Sequence, residues 1–333
     1  MSLCQKASLL LILFLLVSCQ RTLNRNEFLI AGTYLEIISP DPRSARIVYE
    51  EFLRLDKIFN KYDPDSEISR LNKNRSISDA SDELIEVLEL SAKIGDLTSF
   101  SFDITCAKLY DLWKDIIGKQ AISFPHPASV SAAKNSCCKR CVDIDEKNNR
   151  ISLDNKNTLI DLGGIAKGYM VDEAVERLKE EGITSALINA GGDIYCLGKN
   201  RGKLWSIGIK DPEDPGRFIK RLDLSDAAVA TSGDYEQFFE YKGNRYSHLI
   251  NPRTGYPADS GVVSVTVVGR SCAVADSLAT AVCIDGMKGL SDTIFKKSYA
   301  SSIFIVKIIK GEQRLFIIDS DSKVKRPLAD SDE

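Results

Sequence analysis

The chain is poor in histidine, tryptophan and methionine, with two, two and three residues in 333. With only His126 and His248 available, a histidine-rich transition-metal centre is excluded. Positive charge is not in excess: 44 Lys and Arg face 47 Asp and Glu, a net charge of −3, so nucleic-acid binding has no electrostatic support. The one strongly apolar run, Leu9 to Val17, is too short to span a bilayer. Internal repeats and low-complexity stretches are missing. An apolar share of 44% and a charged share of 27% exclude disordered and collagen-like chains. What remains is a globular protein long enough to bury a sizeable core, as one large domain or two small ones.

The short apolar run has a use. Lys6 precedes it and Leu16-Val17-Ser18-Cys19 ends it, the shape of a secretory leader with a bacterial lipobox. Cleavage before Cys19 makes that cysteine the lipidated N-terminus, removes Lys6 and takes the net charge to −4. The expected organisation is a signal peptide over 1–18 and a linker over 19–27. A folded domain over 28–320 and a polar tail over 321–333 complete it. The expected location is the extracytoplasmic face of a bacterial membrane, held by acyl (palmitate-type) chains. Seven further cysteines include the Cys138-x-x-Cys141 pair. Zinc needs two more ligands at suitable spacing, so one disulfide in this exported region is preferred. Its pairing is not legible.

Along the chain, Phe28–Ile38 reads as a strand, and apolar spacing predicts helices over Ser44–Tyr62, Ser81–Gly95 and Ile104–Leu112. Asp63-Pro64-Asp65-Ser66 is a turn and helix start; Pro125–Cys141 is irregular with one short helix. Beyond Val142 strands predominate: Ile151–Leu153, Ala186–Asn189, Trp205–Ile209, Val229–Thr231, Gln237–Tyr241, Val262–Val268 and Ser302–Ile308. Helices over Ala166–Glu181 and Val274–Val282 interrupt them. The mixture lacks regular βαβ alternation, so the predicted class is α+β.

Four segments carry candidate chemistry. Asp161 ends an apolar stretch and is followed by Gly163, Gly164, Lys167 and Gly168, a turn opening a helix. Such a turn offers backbone N–H groups to an anion, although it matches neither familiar phosphate-loop spacing. Asp161 reads either as a helix N-cap or as a ligand-binding acid. Asn189-Ala190-Gly191-Gly192-Asp193 pairs glycines after a strand, for positive φ or close backbone approach. His248 precedes the polar turn Asn251–Gly255 and follows Ala230–Tyr235, a loop context that suits catalysis. His126, between prolines, reads as structural. Asp276 and Thr280 are four apart on a helix and share one face, where they can offer oxygens to a hard cation such as Mg²⁺.

Taken in order, KYDPDSEISRLN, SFDIT, DLGGIAKGY, NAGGD, ATSGDYE, HLINPRTGYP and ADSLATA resemble the ApbE family of FAD:protein FMN transferases, from Ala31 through Gly286. The resemblance implies a single ApbE-type, T-fold-like α+β domain. It also implies Mg²⁺-dependent transfer of the FMN moiety of FAD to a Thr or Ser hydroxyl of a target flavoprotein, with AMP released. The expected acceptor is a subunit of a membrane redox or sodium-pumping complex. Tyr62 is expected against the flavin or adenine of FAD. Ser101, Phe102 and Asp103 are expected to line the nucleotide pocket, with Asp161, Lys167 and Ile250 in contact with FAD. Ala31 stands where many members carry methionine, which reduces an apolar contact. The metal is expected from the Gly164 carbonyl, Asp276 and Thr280; where some members have a hydroxyl residue, Gly164 offers only its backbone. His248 is the expected base for the acceptor hydroxyl, with Asp276 the alternative. Competing readings are an Mg²⁺-dependent FAD pyrophosphatase and a non-enzymatic FAD-binding lipoprotein that delivers flavin.

Overall fold

The structure is a computed structural model that describes residues 22–118, 124–214, 216–233, 238–241, 244–286, 293–297 and 299–319. The expected leader, lipidated Cys19 and polar tail lie outside the described residues, as do Asp234 and Tyr235. The described chain opens with an antiparallel hairpin of β1 (Asn24–Ile30) and β2 (Thr33–Ser39). This corrects two expectations. The first strand begins inside the segment expected as linker, and the single strand over Phe28–Ile38 is broken at Ala31-Gly32. Both turn residues take positive φ, 51° and 68°. The apolar pattern runs on through the turn, so only Gly32 marks the reversal.

α1 (Ser44–Phe59) buries the predicted stripe Ile47, Val48, Phe52, Leu55, Ile58 and Phe59. The following turn starts α2 (Glu67–Asn74), where the Ser66 hydroxyl accepts the Ser69 amide as an N-cap. After β3 (Ser76–Ile77) comes α3 (Asp82–Leu97), capped by Ser81. α4 (Ala107–Gly118) starts later than spacing predicts. Upstream, the Ile104 carbonyl accepts the Asp161 amide and Cys106 bridges to Leu159, so that stretch is tied to another segment instead of coiling. α5 (Pro127–Lys134) is capped by His126, whose Nδ1 accepts the Ala128 amide, a structural role. β4 (Val142–Asp145) and β5 (Arg150–Leu153) form a small sheet with β3.

The second half runs through α6 (Ala166–Glu180), β6 (Ala186–Ala190), β7 (Asp193–Leu197), β8 (Trp205–Lys210), β9 (Phe218–Leu224) and β10 (Ala227–Gly233). It continues with β11 (Phe238–Tyr241), β12 (Asn244–Ser247), β13 (Val262–Gly269), α7 (Cys272–Asp285), α8 (Thr293–Lys296), β14 (Ser302–Ile309) and β15 (Glu312–Asp319). The main sheet has the order β1-β2-β6-β7-β10-β13-β14-β15, with antiparallel pairings throughout. β7, β9, β12 and β15 are strands that residue pattern does not announce. β9 keeps Leu222 as its one buried residue, and β15 keeps Ile318. Such strands carry little alternation to read.

The sheet is covered on both sides. α1, α6 and α7 enclose the principal core, whereas Trp205, Ile207, Ile209 and Leu222 of the β8–β9 hairpin fill separate apolar clusters. α7 is buried nearly all round, from Cys272 to Ile284, so it has no broad solvent face. It therefore runs through the interior beside β10 and β13, and this placement carries the site inward.

Candidate active site

The turn after Asp161 consumes its own donors. The Gly163 amide donates to Asp161 Oδ1 (2.8 Å), and the Ile165 and Ala166 amides both donate to the Leu162 carbonyl. Ile165 stands at the α6 cap position without a side-chain cap bond. Asp161 is therefore not the N-cap of α6, and these three amides are not free for an anion. Its other oxygen lies 2.7 Å from Lys61 Nζ, which also reaches Asp111 at 2.8 Å. Burial works against the Lys61 charge, but the two carboxylates outweigh it and raise the ammonium above its ordinary value.

A second ion-paired group forms where α6 meets α7. Lys167, in the first turn of α6, places Nζ 2.7 Å from Asp193 and 3.2 Å from Asp276. Both acids are buried, at 2% and 5% exposure. Asp193 opens β7 directly after Gly191 and Gly192, which take φ of 62° and 102°, so the positive-φ expectation for that pair is met. Burial, then the neighbouring Asp276, holds the Asp193 carboxyl well above the usual carboxylate range, against the pull of Lys167.

Oxygen atoms surround these charges. Thr280 lies one helical turn beyond Asp276, its hydroxyl 3.2 Å from Ser232 Oγ at the end of β10. The Gly164 carbonyl accepts from Ser277 Oγ at 3.3 Å. A Cβ added to Gly164 would lie 3.8 Å from Thr280 Oγ1 and 3.2 Å from the Phe102 ring. The residues expected to hold a metal are thus together: Gly164, Asp276 and Thr280, with Asp193, Ser232 and Ser277 beside them. Two buried carboxylates share one lysine, and all the other donors are neutral oxygens. This chemistry suits a hard divalent cation that keeps part of its water. Among the described residues no cluster of three or more His, Cys, Asp or Glu offers an alternative metal site.

Two contacts fix α7 against α6. Asp172 accepts the Cys272 amide (2.7 Å), the Ala273 amide (3.0 Å) and the Ser271 hydroxyl (2.7 Å). Burial pushes its carboxyl up to about 6, opposed by those bonds. One turn earlier, Gly168 lies so close that an added Cβ would sit 2.5 Å from the Cys272 carbonyl oxygen. This glycine serves close approach, since its φ is not positive.

The Ser101-Phe102-Asp103 loop adjoins this corner through Phe102, the ring that packs over Gly164. Ser99 and Phe100 before it hold left-handed φ of 51° and 60°, a costly conformation maintained by the Thr98 hydroxyl, which accepts the Phe102 amide. Asp103 turns inward, accepting the Thr105 amide (2.9 Å) and hydroxyl (2.6 Å). Ser101 Oγ is fully buried with no hydrogen-bond partner. An orphaned hydroxyl costs about 1–3 kcal/mol, and a polar ligand in the expected nucleotide pocket would satisfy it.

Tyr62 stands apart, 69% exposed, with Lys114 4.6 Å from its ring centre and bonded to its hydroxyl. With Lys61, Asn72, Lys73, Asp111 and Lys114 it lines a cavity of about 830 Å³, within the usual range for small-molecule sites. Ala31 sits at the strained hairpin turn, half-buried against the principal core. His248 is half-exposed after β12. Ile250, expected to touch FAD, is only 2% exposed, and its side chain packs among Cys106, Leu109, Trp113 and Val130. The adjoining turn is held by Trp113 Nε1 donating to the Gly255 carbonyl at 2.8 Å.

Lys61, Asp111, Asp172, Asp193, Ser232 and Ser277 join the candidate site without having been singled out from sequence. Asp193 had a signal, its place directly after two positive-φ glycines. Asp111 had none, because it looks like any solvated helix residue.

Comparison with known proteins shows the family and the fold. The model of the ApbE family matches residues 31–301. An FAD:protein FMN transferase of Vibrio cholerae is 35% identical over 229 residues, 68% of this chain and 68% of that protein. One from Treponema pallidum is 30% identical, covering 73% of this chain and 67% of its own length. Among solved structures, the flavin transferase ApbE from Vibrio cholerae superposes with a TM-score of 0.77 at 27% identity, over 90% of this chain and 98% of that one. The ApbE protein of Thermotoga maritima gives 0.75 at 29% identity, over 92% and 97%.

Proposed function

The chain belongs to the ApbE family, and from that premise we propose that it is an Mg²⁺-dependent FAD:protein FMN transferase acting on a Thr or Ser hydroxyl of a target flavoprotein. The acceptor oxygen bonds to the phosphorus of the FMN moiety, the pyrophosphate P–O bond breaks, and AMP leaves with the bridging oxygen. The observation that carries this reading is the corner where Lys167 joins Asp193 and Asp276 beside the Gly164 carbonyl and the Thr280 hydroxyl. When bound there, a divalent cation supplies neutralisation of pyrophosphate charge.

This chain's own residues do the rest. Asp276, Thr280 and the Gly164 carbonyl hold the cation. The orphaned Ser101 hydroxyl donates to the nucleotide, and Phe102 covers the Gly164 turn against water. The cavity lined by Lys61, Tyr62 and Lys114 receives another part of the dinucleotide. Asp161 orders that side through Lys61. His248 Nε2 or Nδ1 takes the acceptor proton, a task for a group that is neutral near pH 7.

The lipobox at Leu16–Cys19 supports a lipid anchor at the extracytoplasmic face of a bacterial membrane. With β1 beginning at Asn24, the tether after Cys19 cannot exceed about 15–20 Å when fully extended. The domain is then held close to membrane-bound acceptors such as redox-complex subunits. The test is incubation with FAD, Mg²⁺ and candidate acceptors, read by in-gel flavin fluorescence after denaturation and by AMP release. The expected result is covalent flavin lost on chelation and lost in His248→Ala, with FAD binding retained in the variant. Rapid AMP release without acceptor, and no covalent flavin with any acceptor, overturns the reading in favour of hydrolysis.

A further inference from the structure

The turn after α1 sets two neighbouring residues, Lys61 and Tyr62, against two residues of α4 that stand three apart on one helix face. Lys61 Nζ donates to Asp111 Oδ1 at 2.8 Å, and Lys114 Nζ donates to the Tyr62 hydroxyl oxygen. Together they form a two-point clasp at the cavity of about 830 Å³ that all four residues line.

The two points are not held equally. Lys61 has a second anchor in Asp161, at 2.7 Å, and its side chain is mostly buried. Around Tyr62 the backbone is fixed. The Tyr62 amide donates to Asn60 Oδ1 (2.9 Å), the Ser69 hydroxyl to the Lys61 carbonyl (3.2 Å), and the Ser66 hydroxyl to the Asn60 carbonyl (2.7 Å). The ring itself stands out from this rigid turn at 69% exposure, so burial does little to hold it. The bond from Lys114, whose Nζ lies 4.6 Å from the ring centre, supplies the restraint that packing does not.

We propose that Lys114 is a positioning residue for the dinucleotide. It acts through Tyr62, holding the ring in the orientation on which a planar ring of the ligand stacks, while Asp111 fixes the adjoining Lys61. This rests on the reading that the cavity receives part of FAD. Ordering one mobile side chain on binding weakens affinity by roughly 3- to 10-fold, and a ring ordered beforehand avoids that loss. The sequence spacing explains why one helix can do both tasks. Asp111 and Lys114 share a face of α4, so the acceptor and the donor meet consecutive residues of the turn. A direct charge contact between Lys114 and the pyrophosphate is the rival role. It differs in one respect: it does not need the Tyr62 hydroxyl.

That difference sets the experiment. The purified full chain is titrated with FAD without Mg²⁺, read by quenching of flavin fluorescence, and transfer to an acceptor with Mg²⁺ gives KM and kcat. Lys114 is exposed and Tyr62→Phe keeps the ring, so both substitutions leave the fold intact. Lys114→Met and Tyr62→Phe are each expected to weaken FAD binding by about 3- to 10-fold, with the effect on KM for FAD and not on kcat. The double variant is expected within about twofold of either single one, because both remove the same bond. Lys114→Arg keeps a donor in reach of the hydroxyl and is expected to recover most of the affinity. A Lys114→Met effect that persists in full on the Tyr62→Phe background assigns Lys114 to the ligand directly and overturns the proposal, as does a fall in kcat at unchanged KM. A parent that binds FAD while its variants bind equally well refutes the clasp alone. A parent that binds no FAD refutes the functional reading beneath it, and the clasp with it.

Discussion

Replacing Gly168 by alanine sets two effects against each other. Alanine inside a helix is favoured over glycine by about 1 kcal/mol, and α6 would gain that. The new Cβ, however, would lie 2.5 Å from the Cys272 carbonyl oxygen and 2.6 Å from both the Cys272 carbonyl carbon and the Ala273 nitrogen. These are backbone atoms of α7, so no side-chain rotation relieves the contact. Overpacking costs about 1–3 kcal/mol, and a rigid obstacle places this site at the upper end. The crowded Ala273 amide is also one that Asp172 caps at 3.0 Å, so any separation weakens that bond. The net expectation is a loss of about 2 kcal/mol, a Tm lower by roughly 4–8 °C. The contact falls about 1 Å short of ordinary separation, and α7 carries Asp276 and Thr280. A displacement of that size is expected to slow flavin transfer by roughly 100-fold. Thermal melts and initial rates with saturating FAD, Mg²⁺ and acceptor measure both. A Gly168→Ala variant as stable and active as the parent would refute close helix approach as the reason for this glycine.

Asp193→Asn leaves Lys167 with Asp276 alone and draws the ammonium onto an oxygen expected to face the cation. The Mg²⁺ concentration for half-maximal transfer should rise at least about 10-fold while the fold persists; an unchanged Mg²⁺ titration would place Asp193 outside the cation's surroundings. Ala31→Gly relieves the left-handed φ of 51° at the β1–β2 turn, and should raise stability by about 0.5–1 kcal/mol by denaturant titration, with a lower midpoint speaking against strain there. Glu173 is held at about 7, above its ordinary 4.5, by burial first and then by the charges of Glu86, Glu51 and Glu83. A folded value above the unfolded one means the native state binds the proton more tightly, so stability falls as pH rises from about 4.5 to 7. Glu173→Gln should therefore match the parent near pH 4.5 and melt higher at pH 8; parallel Tm profiles across that range would contradict the shift.

Much of the site was legible because its spacing is local. Asp276 and Thr280 share a helix face whatever surrounds them, Ser66 caps the helix it precedes, and Gly191-Gly192 has to turn the chain between two strands. The ordered motifs from Ala31 to Gly286 likewise carried the family and its activity. Reversals that leave apolar composition unbroken were not legible, as at Ala31-Gly32, nor were strands such as β9 and β15 that bury one residue each. The amides after Asp161 looked available to an anion until the turn closed on itself.

Sequence by itself determined the class of fold, the order of the motifs and which side chains share a helix face, since backbone geometry sets those over a few residues. Only tertiary structure decided that Lys61 meets Asp161, that Lys167 bridges Asp193 and Asp276, and that Asp172 caps α7. These partners lie from 26 to 109 residues apart. Pairing over such separations follows from how the sheet and its helices pack, because burial in one core forces each charge to accept the partner that the fold brings to it.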